Sequence, residues 1–468
     1  MTKEALQSEA RLLAAPKSSF VWGVSTSSFQ IEGAAHIDGR GDSIWDVYCR
    51  KPGTVKNGDT GETACDHYHR YGEDVALMRD LRIDAYRFSI SWSRLLPRGR
   101  GAVNEHGLAF YDRLIDALLA AGIEPWICLY HWDLPQALHE LGGWQNRDIA
   151  GWFADYAALV ARRYGDRVKR FATFNEPCVF TLFGYGLGWN APGIADADAL
   201  HKAIHHVNLS HGAAIGALRT MVPQASVGAI HNRQPCFPAG TSPNDAAAAV
   251  RFAGYWNDAF PYPQHFACYP AALAEAVEPF QKPGDMALIA QPVDWFGLNH
   301  YSPHYIKADH NVIGATFGAP PPNVPRTTIG WPIVPDAFRD TLLDVHRRFS
   351  LPIYILENGT ATDDTLDGAG HIEDAGRIAY LRAYIDAMQE AIAAGVDVRG
   401  YFVWSLLDNF EWTSGYSQRF GLTYVDFATQ RRIPKASARW YANLIAANRR
   451  RLVQPISGNC TEAAMATR

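Results

Sequence analysis

A chain of 468 residues with 48% hydrophobic and 19% charged residues can bury a large core, which excludes global disorder. Its formal net charge of −5 argues against a nucleic-acid partner, because phosphates demand a basic surface. No run of 18 apolar residues occurs, so no membrane span is expected. Residues 1–19 lack the apolar centre of a signal peptide, and the seven scattered cysteines include no Cys-x-x-Cys pair. Reduced thiols in a cytoplasmic chain are the simplest reading. Aromatic residues reach 12%, and flat rings suit the C–H faces of sugars.

After a tail over residues 1–19, Phe20 to Ser25 predicts a short strand, with polar Ser27, Ser28 and Gln30 directly behind it. Residues 34–66 read as loop. Val75, Leu77, Met78 and Leu81 recur at helical spacing and lead to a second strand over 85–90. Leu108, Tyr111, Leu114, Ile115, Leu118 and Leu119 form one helical stripe, stopped by Gly122. The third strand, 126–130, ends in His131, Trp132 and Asp133, and a helix with Trp152, Phe153, Tyr156, Leu159 and Val160 on one face follows. The fourth strand, 171–174, delivers Asn175 and Glu176, and Pro177, which cannot donate to a ladder, closes it.

Residues 199–221 predict a helix, and 226–230 a fifth strand. The stretch 231–292 is aperiodic and rich in proline, and only a helix near 245–257 is expected there. A sixth strand, 295–301, opens a long Pro/Gly-rich loop up to Trp331, of a kind that usually carries function. A helix near 335–348 precedes the seventh strand, 353–356, which ends on Glu357, Asn358 and Gly359. A helix bearing Ile378, Leu381, Ile385, Met388 and Ile392 leads to an eighth strand, 400–404. A loop to 434, a last helix and a disordered tail from Ser457 complete the expectation.

Eight apolar strands alternating with helices predict an α/β fold: a single (β/α)8 TIM barrel with elaborated βα loops, spanning residues 20–456. Parallel barrel strands are covered on both faces, so they read as runs and not as alternations. Gln30, His131, Trp132, Asn175, Glu176, Asn299, Tyr301, Glu357 and Trp404 all fall at or just beyond the C-terminal ends of strands, the active face of such barrels.

Glu176 and Glu357 suit glycoside hydrolysis, one as acid on the leaving oxygen and the other as nucleophile or base. An ordinary ion pair explains either glutamate alone. It does not explain two, each at a strand exit beside an asparagine. His201, His205, His206 and His211 share a helix without a His-Glu-x-x-His pattern, so packing explains them better than zinc does, and His67 and His69 read likewise. Gly184, Gly186 and Gly188 match no phosphate-binding fingerprint, and no Gly-x-Ser-x-Gly elbow exists. No metal and no organic cofactor is expected.

The chain resembles glycoside hydrolase family 1, the β-glucosidases, from about Phe20 to about Ile445. The motifs that carry the likeness are Phe20 to Gly33, Asp66 to Tyr71, Tyr86 to Arg94, Tyr130 to Pro135, Thr173 to Pro177, Glu357 to Gly359 and Trp404 to Trp412. The resemblance implies Glu176 as acid/base and Glu357 as nucleophile. It implies that Gln30, His131, Trp132, Asn175, Glu411 and Trp412 bind the sugar hydroxyls over a Trp404 platform. Tyr301 and Arg87 would hold the nucleophile, Asn299 would stand beside the acid/base, and Phe420 would add to the substrate-binding set. Departures from the family pattern are Cys178 in place of an aromatic residue, His300 in place of tyrosine, and Thr360. The first touches the leaving-group side. The expected activity is hydrolysis of terminal β-D-glucosyl residues of small glycosides or oligosaccharides, with tolerance for galactosides or fucosides. The rivals are a 6-phospho-β-glycosidase and a catalytically silent sugar-binding barrel.

Overall fold

The computed structural model describes residues 20–453; the tails expected at 1–19 and from Ser457 lie outside the described residues. Eight strands close a parallel barrel in sequential order: β1 (Val21–Ser25), β2 (Ala85–Ser89), β3 (Glu124–Tyr130), β4 (Arg170–Asn175), β5 (Ser226–Asn232), β6 (Trp295–Asn299), β7 (Ile353–Asn358) and β8 (Val398–Trp404). β8 returns to pair with β1, so Ser25 lies opposite Trp404.

Rings fill the floor of the barrel. Trp126 packs on Trp295, Tyr354 and Phe402 at centroid distances of 5.5, 4.9 and 5.3 Å. Glycine makes room for them: a Cβ at Gly23 would stand 2.2 Å from the Phe402 ring, and one at Gly228 2.5 Å from Trp295. With the floor plugged, the open end is the one where the strands finish. Outside the barrel, helices cover the strands through apolar stripes. In the helix Glu105–Ala120 the Asn104 side chain caps the start by accepting from His106 N at 3.2 Å. Leu119, expected on its buried stripe, is 41% exposed. One position past Leu118 it is rotated about 100° off that face.

The stretch 231–292 holds more than one helix: Pro243–Ala253, Pro261–Phe266, Ala271–Val277 and Asp285–Ile289. Prolines in the first turn begin two of them, where a missing N–H costs nothing, so these residues read as breakers in sequence and act as starters in the fold. The loop up to Trp331 contains two strands, His304–Ala308 and Ala315–Phe317. With Cys236–Pro238 they make a small sheet outside the barrel. β6 ends at Asn299, two residues earlier than expected, and Tyr301 follows in the connection.

A buried charge network ties the last loops together. Lys435 contacts Asp364 and Asp408 (2.7 Å to the latter), Arg377 contacts Asp364 (2.8 Å) and Asp374, and Arg419 contacts Asp408 at 2.6 Å. Three carboxylates balance three cations, and Lys435 and Arg377 are fully buried. The network grips both sides of Phe420: Arg377 donates to the Arg419 carbonyl at 2.7 Å, and the Gly421 N–H donates to Asp408 at 2.9 Å. Lys435→Met leaves one buried carboxylate uncompensated. It is expected to cost about 3–5 kcal/mol, measured as a lower midpoint of denaturant unfolding; an unchanged midpoint would count against the network's role.

Candidate active site

Register irregularities precede both glutamates. β7 slips against β6 and β8 just after Ile355, and β4 slips against β5 between Ala172 and Asn175. Such irregularities re-aim a strand end. Beyond the second slip, Glu176 adopts φ 49° and ψ 59°, a left-handed conformation uncommon away from glycine, and Pro177 starts a short helix behind it. Its N–H donates to the Ile230 carbonyl at 2.8 Å, which fixes the turn.

Both side chains line a cavity of about 480 Å³ at the open end of the barrel. That volume suits a small ligand. Their environments differ. Glu357 receives the Arg87 guanidinium on Oε1 and the Tyr301 hydroxyl on Oε2 at 2.6 Å. Arg87 also donates to the Leu356 carbonyl at 3.2 Å and lies 5.6 Å from the Trp404 ring centroid. Glu176 has no cation. Its Oε1 accepts from Asn232 at 2.9 Å and from Asn299 at 2.8 Å. Burial first, and the Glu357 charge second, push its carboxyl up to about 8. Glu176 is therefore a proton carrier near neutral pH, and Glu357 a held anion.

A third carboxyl, Glu411, shares the cavity. The residue is half-buried because one side opens to the cavity, yet its Oε2 is covered and has no partner. Burial, then the Glu357 and Glu176 charges, push it to about 8 as well. His131 accepts from Arg87 on Nδ1 at 3.2 Å. Burial, helped by that guanidinium, holds it well below the usual histidine range, so the ring is neutral. His131 stacks between Trp404 (5.7 Å) and Trp412 (6.0 Å), and Trp412 stacks on Trp132 at 4.6 Å. Tyr301, Trp331 and Phe420 close the side above Glu357.

Of the residues expected here, Glu176, Glu357, His131, Trp132, Tyr301, Trp404, Glu411, Trp412 and Phe420 line the cavity. Gln30, Asn175, Asn299 and Arg87 are not among the lining residues and stand behind it. Gln30 gives both amide hydrogens away, to Asn409 at 3.1 Å and to the Phe410 carbonyl at 2.9 Å, and accepts from Ser27, so it positions the segment leading to Glu411. Asn299 joins Asn175 to Glu176. Cys178 does not line the cavity: it is buried, with Sγ 3.8 Å from the Asn232 carbonyl. Val179 and Phe183 line it instead. His300 is buried, donates to the Arg233 carbonyl at 2.9 Å, and is pushed down to about 3 by burial. The histidines of the helix Ala197–Met221 serve packing: His205 bonds Tyr269 and Asp285, and His206 donates to the Trp144 carbonyl.

Sequence reading missed Asn232. It stands at the exit of β5, and a strand read as far as 232 would have exposed the same signal that marks the other strand ends.

A held anion facing a protonated carboxyl across a ring-lined cavity is the equipment of a glycoside hydrolase. A profile of Glycosyl hydrolase family 1 matches residues 14–450, and the chain belongs to that family. Beta-glucosidase A of Thermotoga maritima is 44% identical over 435 residues, covering 92% of this chain and 97% of the relative. The bifunctional beta-D-glucosidase/beta-D-fucosidase of Bifidobacterium breve is 40% identical over 454 residues, 91% of this chain and 97% of the relative. A solved structure of the Thermotoga maritima beta-glucosidase in complex with glucoimidazole is similar with a TM-score of 0.88 at 43% identity, covering 92% of this chain and 99% of that one.

Because the Glu357 charge raises the proton affinity of Glu176, Glu357→Gln is expected to lower the Glu176 titration midpoint below its value of about 8. Carbon-13 NMR of glutamate-labelled protein reads this directly. A midpoint that stays or rises would mean that the two carboxyls do not sense each other.

Proposed function

We propose that this glycoside hydrolase is a retaining β-glucosidase acting on unphosphorylated β-D-glucosides, with β-fucosides and β-galactosides as further substrates. The observation that carries the reading is the asymmetry of the two glutamates. Glu357, charged and fixed by Arg87 and Tyr301, attacks the anomeric carbon. Glu176 gives its proton to the departing oxygen, so the leaving group exits as an alcohol and the sugar becomes an ester of Glu357. Esterification removes the Glu357 charge, the Glu176 carboxylate becomes easier to keep, and it takes the proton of the incoming water. Attack from the opposite face frees the sugar with its configuration retained. The Trp404 face under the ring, with His131, Trp132, Glu411 and Trp412 around it, suits a polyhydroxyl ligand. Gln30 and Asn175 act by holding that wall. A cytoplasmic location belongs to the same reading, supported by the six described cysteines, all free thiols.

Two experiments test the assignment. Glu357→Ala is expected to lose on the order of 10⁴-fold or more in kcat with every leaving group. Glu176→Ala should retain most with activated phenols and regain turnover with azide, giving the β-azide. An α-azide product, or near-normal rates in Glu357→Ala, would overturn the roles.

A 6-phosphate is disfavoured on charge. No Lys or Arg is among the cavity-lining residues, while the Glu357 carboxylate faces the cavity. In competition, a glucoside is expected to exceed its 6-phosphate by about 100-fold or more in kcat/KM. Equal or reversed preference would place a phosphate-binding cation at the site after all.

A further inference from the structure

We infer that Tyr380 and Tyr384 are positioning residues for the nucleophile, acting through the backbone carbonyl of Tyr301; the inference rests on the glycosidase reading above. Both belong to the helix Ala375–Ala393, which follows β7 and contributes no residue to the cavity lining. They lie four apart on one face of it and are buried, with ring centroids 4.1 Å apart and planes within 18°. Each hydroxyl donates to the same acceptor, the Tyr301 carbonyl, at 2.9 Å. A carbonyl oxygen has two lone pairs, and the two tyrosines occupy both.

That carbonyl matters because Tyr301 lies beyond the end of β6, where the ladder no longer fixes the backbone, while its own hydroxyl holds Glu357 Oε2. The residue before it is tied to the strand of the nucleophile: the His300 N–H donates to the Glu357 carbonyl at 3.1 Å, and Asn358 Nδ2 donates to the His300 carbonyl at 2.7 Å. The tyrosines fix the next residue along. Asn358 joins the same cluster, with Nδ2 3.3 Å from the Tyr380 hydroxyl and Oδ1 accepting from Tyr401 at 2.6 Å. The Tyr384 hydroxyl also accepts from the Val334 N–H at 3.2 Å, so one oxygen holds both ends of the connection from 301 to 334. A hydroxyl is placed no better than the backbone that carries it, and a nucleophile displaced by about 1 Å loses up to about 100-fold in rate. Arg87 still holds the other oxygen of Glu357, so the loss expected here is smaller.

The test replaces both tyrosines by phenylalanine in the full chain, which keeps the stacked rings and removes only the two donors. Trapping with 2-deoxy-2-fluoro-β-glucosyl fluoride reads the attack itself: the bond from Glu357 to the anomeric carbon forms, and fluoride leaves. Tyr380→Phe with Tyr384→Phe is expected to slow trapping at saturation by about tenfold while the half-saturating concentration stays within about twofold. In a Tyr301→Phe background, where no hydroxyl reaches Glu357, the same pair should add less than about twofold. Tyr164→Phe serves as the comparison, since it removes a buried hydroxyl of the same kind, given to the Leu108 carbonyl at 3.0 Å between two outer helices; its trapping rate should stay within about twofold of wild type. An unchanged rate in the pair would overturn the inference. So would an equal fall in both backgrounds, or an equal fall in Tyr164→Phe. If wild type is not trapped and hydrolyses no β-glucoside, the glycosidase reading itself falls, and the inference with it.

Discussion

The cavity depends on the burial of Arg87. A guanidinium 1% exposed inside a barrel must be paired, and its partner is Glu357. That pairing fixes the charge of the nearer carboxylate. Glu176 then faces an anion without a cation of its own and holds its proton, Glu411 is pushed the same way, and His131, against the guanidinium, stays neutral. The protonation of the site follows from burial first and from this ion pair second.

The barrel supplies the geometry for that pair. Its floor of rings leaves only the C-terminal end open, and the slips in β4 and β7 turn the two strand ends so that residues far apart in sequence share one cavity. The amides of Asn232, Asn299 and Asn175 link β4, β5 and β6 across the mouth, so that the proton-carrying carboxyl at the end of β4 is held from β5 and β6.

The barrel and both glutamates were legible in sequence because a polar residue ending an apolar run is visible wherever the strand is read to its true end. Asn232 was lost when β5 was read two residues short. Gln30 was expected among the sugar contacts from the resemblance to the family. Sequence does not reveal that Asn409 and Phe410, almost the whole chain away, take both its hydrogens. Cys178 shows the limit of nearness to a catalytic residue. Val179 and Phe183, four apart, share a helical face, and Cys178 is turned away from it.

The charge network also orders events in time. Asp364 and Asp408 lie in the loops beyond β7 and β8, and the cation between them, Lys435, directly precedes the last helix, Ala436–Val453. A growing chain has both glutamates long before it has this lysine. Until the lysine arrives, Asp364, Asp374 and Asp408 share only Arg377 and Arg419, three carboxylates on two cations, and burying them is costly. A nascent chain stopped before Lys435 therefore carries both glutamates with the network behind Phe420 one cation short.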